Sequence, residues 1–151
     1  MPKAGSPITS KKVLKLTIAG GLVFWATTIA TSLLPIAAEY RAAYSNWSLQ
    51  TVWVASLLMG MIIGLCVSYV LLFYFDKIPS KNPILKSVII SVIAMVIAVI
   101  LIDVPQSIFG MSNSFDSRYY FLIGVMFNAA RFLLLGIVIG WLYNERTMHQ
   151  V

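Results

Sequence analysis

Four apolar runs, each about the length of a bilayer crossing, occupy most of this chain, and its charges and prolines fall largely between them. A helix needs about 20 apolar residues to cross a hydrocarbon core. In that medium every backbone amide must be bonded within the protein, which leaves the helix as the natural form for such a run. The runs predict spans over residues 13–35, 51–75, 85–104 and 119–143. Lys11, Lys12 and Lys15 open the first, which Pro35, Glu39 and Arg41 close; Asp76 and Lys77 end the second. Asp103 and Pro105 end the third, and Asn144, Glu145 and Arg146 the fourth. The expected fold is all-α: one polytopic membrane domain over residues 1–151, a four-transmembrane-helix bundle with short loops.

Composition excludes the alternative. Of 151 residues, 60% are hydrophobic and 11% charged, against roughly 25% charged in a soluble domain. Too little polar material is present to coat a water-soluble globule. The first run also exceeds the 7–15 residue core of a secretory signal. Pro35 and Ile36 precede Ala37 and Ala38 where a cleavage site needs small residues, so a retained helix is expected.

The net charge of +6 sets orientation rather than binding nucleic acid. Lys3, Lys11, Lys12, Lys15, Lys77, Lys81, Lys86 and Arg146 lie on one side of the expected bundle, and only Arg41 and Arg118 on the other. No basic stripe with interleaved aromatics is present. The positive-inside rule then places both termini and the Asp76–Lys86 loop in the cytoplasm, with the cell membrane as the expected location. Tyr119, Tyr120, Trp141 and Tyr143 bracket the fourth run, and Trp47, Trp53 and Tyr74 the second, as interfacial rings do. The short Ile78–Pro83 connection predicts an antiparallel hairpin of the second and third helices.

In lipid, helices associate by close packing and interhelical hydrogen bonds, so small residues mark contact faces. The second run carries Ser56, Gly60, Gly64 and Ser68 at four-residue spacing; the fourth carries Ala129, Gly136 and Gly140 on one side. These predict contacts within one bundle in preference to a dimer seam. The first run has a seam of Thr17, Gly20, Gly21, Thr28, Thr31 and Ser32, with Phe24 in the same sector. Packing explains this seam better than a water path, because Phe24 would plug it.

Arg131 is the residue most out of place. It falls near the middle of the fourth run, where an arginine costs at least ~2.5–3.5 kcal/mol, so such residues face protein or water. It shares a helical face with Gly124 and Asn128, away from Gly136 and Gly140. Asp103 is the nearest acid in prospect, at a level roughly 10–13 Å away along the bundle. Arg131, Asn128 and Asp103 therefore form the candidate intramembrane polar site. A direct ion pair, a water-bridged one, an acid on a partner's helix, or backbone and interfacial contacts would each satisfy the arginine.

Other motifs carry little. Cys66 is alone in an apolar run, where a thiol is a packing residue. His149 is the single histidine and cannot build a metal site by itself. Asn46–Trp47–Ser48 matches the glycosylation pattern by chance, hard against the second span. The Pro105–Arg118 connection, with Ile108, Phe109, Met111 and Phe115, is expected to be an irregular loop. Neither a histidine cluster, nor paired carboxylates in one span, nor a phosphate-binding glycine loop is present, so no enzyme, metal or cofactor is expected. Two readings remain. One is a non-catalytic accessory or assembly subunit of a membrane complex, with the lipid bilayer and a membrane protein as partners. The other is a small transporter or channel, working as a homo-oligomer, that meets a polar or anionic solute at Arg131 and Asn128.

Overall fold

Helix boundaries follow local chemistry. The computed structural model describes residues 7–44, 47–104 and 115–148, with side chains over 10–42, 47–102, 104 and 118–144. Helix α1 runs from Pro7 to Ser32, and Pro35 opens a second, ten-residue helix α2 that ends at Tyr44. Ser48 caps α3 (Leu49–Phe73), its side chain accepting from the Thr51 amide. A 3₁₀ turn, Phe75–Lys77, follows. Asn82 caps α4 (Pro83–Ala98) by accepting from the Ile84 amide, and Pro83 sits in the first turn, where its missing N–H costs nothing. Helix α5 spans Phe115–Met148.

The all-α expectation holds: the described residues contain no strand, and four helices are long and apolar enough to cross a membrane. Those spans are Ser10–Ser32, Leu49–Phe73, Pro83–Ile102 and Arg118–Asn144. Several boundaries differ from the sequence expectation. The first span ends at Ser32 because a break at Leu33–Leu34 precedes Pro35, and α2 replaces a featureless connection. The third run does not end as an α-helix: Val99–Asp103 widens into a π-helix, with the Val104 amide reaching back to the Val99 carbonyl. The fourth helix begins at Phe115, inside the expected loop, and continues past Tyr143. Residues 105–114, Asn46 and His149, and the side chain of Arg146, lie outside the described residues.

The helices pack in the cyclic order α1, α3, α4, α5, and the broadest interfaces are α1 with α3 and α4 with α5. Glycine explains both. A Cβ built on Gly64 would lie 2.9 Å from the Thr17 carbonyl oxygen, and one on Gly60 2.9 Å from that of Gly21. A Cβ on Gly140 would lie 2.5 Å from the Ile84 Cα, and one on Gly136 3.0 Å from the Val88 Cα. Backbones approach this closely only where no side chain intervenes. The α3–α4 hairpin partners, which lack such a seam, touch less extensively.

The interior is apolar. Leu16, Phe24, Val67, Leu71, Ile90, Phe132, Leu135 and Ile139 form one buried cluster from all four spans. Phe24 meets Phe132 edge-on, with centroids 5.5 Å apart. Large aliphatic side chains such as Leu58, Ile62, Ile97, Leu101 and Leu122 cover the outside, as a lipid-facing surface requires.

Candidate functional site

Helix register fixes the depth of Arg131. The span Arg118–Asn144 is centred on this residue. Its guanidinium carbon is 5.9 Å from the centroid of the Phe24 ring, and Phe24 in turn borders Gly60 near the middle of α3. Arg131 therefore lies at mid-depth, half-buried, on the flank of α5 that meets α1. Its Nη1 donates to Asn128 Oδ1 at 3.3 Å, one turn back along the helix. Side chains on a helix lean toward its amino terminus, so the guanidinium leans toward the α2 end of the bundle.

Helix α2 roofs that polar flank. Tyr40 packs edge-on against Phe127, with centroids 6.0 Å apart. Its hydroxyl would lie 2.7 Å from a Cβ on Gly124, so glycine there makes room for the phenol. Ala37, one turn earlier on α2, is buried. Gly124, Asn128 and Arg131 thus form one strip, with Tyr40 above it and Phe24 beside it. The roof was invisible in the sequence, although Ala37, Tyr40 and Arg41 at three- and four-residue spacing carry the signature of a one-sided helix.

Asp103 stands apart by level. Gly140 beside Ile84 and Gly136 beside Val88 set the α4–α5 register. Continued along both helices, it brings residue 103 level with about residues 121–124, roughly 10–15 Å from Arg131. The Asp103 side chain lies outside the described residues, and so does any pairing with it.

The small-residue positions are spent inside the bundle. Gly60 and Gly64 face α1, and Gly136 and Gly140 face α4. Ser56 bonds to the Trp53 carbonyl at 2.9 Å; Ser68 is fully buried, with no hydrogen-bond partner for its hydroxyl. Three hydroxyls of the α1 seam turn back on their own helix, while that of the fourth, Thr17, is buried with no hydrogen-bond partner. Thr28 donates to Phe24 O at 2.9 Å, Thr31 to Thr27 O at 2.9 Å and Ser32 to Ile29 O at 2.7 Å. Ser32 also accepts from Trp53 Nε1 at 3.0 Å, tying α1 to α3.

At the opposite end, sequence reasoning missed a role. Lys86, counted as an orientation signal, is 4% exposed. Its Nζ donates to the Phe75 carbonyl and lies 3.7 Å from the centroid of that residue's ring. Phe75 stacks on Tyr143 with centroids 5.0 Å apart. The available signal was Lys86 standing one turn before the buried Ile90 on α4.

Among the described residues no three His, Cys, Asp or Glu side chains gather as a metal would need. The fold defines the class: an integral membrane protein built on four apolar helices. Searches for its relatives found no match among family models, curated proteins or solved structures.

Proposed function

We propose that this protein is a non-catalytic accessory or assembly subunit of a membrane complex, and that the α1–α5 flank at Arg131 receives a partner's membrane helix bearing an acidic side chain. The observation that carries this reading is a mid-depth arginine beside a closed interior. Phe24, Phe132, Leu135 and Ile139 fill the centre of the bundle, which speaks against a solute path through one copy. The glycine seams are already occupied by the chain's own helices, so they offer no surface for a partner. Arg131 is half-buried where charge interactions are little screened, and a guanidinium fits a carboxylate in two-point geometry. In this reading the protein is a multi-pass resident of the cell membrane with both termini and the lysine-rich loop in the cytoplasm.

The test is site-specific photocrosslinking in the native membrane. Leu134, half-exposed and one turn from Arg131, reports on this flank; Ile97 on α4 reports on a remote face. A single adduct is expected from position 134, not from 97, and Arg131→Gln should remove it. An adduct pattern that is equal at both positions, or indifferent to Arg131, overturns the reading.

A further inference from the structure

Helix α2 connects the end of one span, Ser32, to the start of the next, Leu49. It therefore lies along the membrane boundary, the level at which phospholipid phosphates sit. Its bundle-facing side carries Ala37, Tyr40 and Arg41, while Ala38, Glu39 and Ala42 are exposed. Glu39, the acid of this helix, is thus turned away from Arg41. The Arg41 Nε is buried and has no hydrogen-bond partner. A buried donor without an acceptor is unfavourable, and more so when it belongs to a charged group. Leu33 and Leu34, immediately before α2, are exposed and offer an acyl chain an apolar surface at the start of this helix.

We infer that Arg41 is a phosphate-binding residue, holding a phosphate oxyanion against the bundle-facing side of α2. The Nη–H groups, which unlike Nε are not occluded, form a two-pronged donor that matches two phosphate oxygens, and an anion there offsets the charge of the half-buried guanidinium. The phosphate arrives either as the headgroup of an anionic phospholipid or free from solution. The subunit reading is not a premise of this inference, and the two are tested by different residues.

Native mass spectrometry of the detergent-purified full chain, with dioleoylphosphatidylglycerol as the probe, tests the inference. Thermal melts with and without millimolar inorganic phosphate run in parallel. Arg41→Gln, Arg41→Lys and the opposite-end control Lys81→Gln are compared with the unaltered chain. For a lipid headgroup, one phosphatidylglycerol is retained by the unaltered chain and by Lys81→Gln. Arg41→Gln then weakens retention about tenfold, the loss of one charge-assisted pair, and Arg41→Lys falls between. For free phosphate, lipid retention is equal in all four proteins, and phosphate raises the melting temperature of every one except Arg41→Gln. If Arg41→Gln alters neither readout, or Lys81→Gln loses lipid as fully as Arg41→Gln does, the site does not exist.

Discussion

Lys86 and Phe75 form a clamp between α4 and the 3₁₀ turn that follows α3: the lysine Nζ lies 3.7 Å from the ring centroid and bonds to the same residue's carbonyl. Because Phe75 also stacks on Tyr143, this clamp links α4, the turn after α3 and α5 at this end. A desolvated cation–π contact contributes about 2 kcal/mol. Lys86→Ala is therefore expected to lower the melting temperature of the detergent-purified protein, and Lys86→Met, which keeps the apolar stem, to lower it less. A Lys86→Ala variant that melts with the parent would show that the clamp is energetically idle.

Two glycines of α5 should respond according to what faces them. At Gly140 the obstacle is the Ile84 Cα, 2.5 Å from a new Cβ; at Gly124 it is the Tyr40 hydroxyl, 2.7 Å away, at the end of a side chain that can turn. Overpacking against backbone costs about 1–3 kcal/mol. Gly140→Ala should lower thermal stability by that order, whereas Gly124→Ala should shift only α2. Melting curves, with limited proteolysis between Ser32 and Leu49, separate the two; equal destabilisation would refute the assigned register.

Ser68 invites the opposite change. Its hydroxyl is fully buried without a partner, and such a group carries a desolvation cost of about 1–3 kcal/mol. Ser68→Ala removes the cost and leaves the backbone spacing of α3 untouched. The variant is expected to melt at or above the parent temperature. A clear drop would reveal a bond that Ser68 makes in the membrane.

What the sequence disclosed depended on how local each cause was. Span count and the polar strip of Gly124, Asn128 and Arg131 followed from run length and a 100° rotation per residue, both properties of one helix. The partners of Gly60 and Gly140 did not follow, because which seam meets which is decided by the whole bundle. The packing role of Lys86 did not show because a lysine beside an apolar run ordinarily marks orientation, and only tertiary packing brings Phe75 over it. Helix α2 was passed over because ten residues with mixed polarity lack the long apolar signal that identifies a span.

Arg131 gives the prediction that separates a structural arginine from a recruiting one. An arginine held at mid-depth raises the cost of the bundle by at least ~2.5–3.5 kcal/mol relative to an apolar residue on insertion scales. If its purpose is to meet a partner's acid, the contacts it makes within the isolated chain offset only part of that cost. Arg131→Leu should then melt no lower than the parent when the chain is purified alone, yet lose the crosslink from position 134 in the membrane. If instead the bond to Asn128 and the contact with Phe24 hold α5 against α1, Arg131→Leu should unfold earlier, and Asn128→Leu should reproduce part of that loss. Melting of the two variants side by side decides between these roles: a stable Arg131→Leu chain that no longer crosslinks identifies the arginine as the contact by which this bundle joins another.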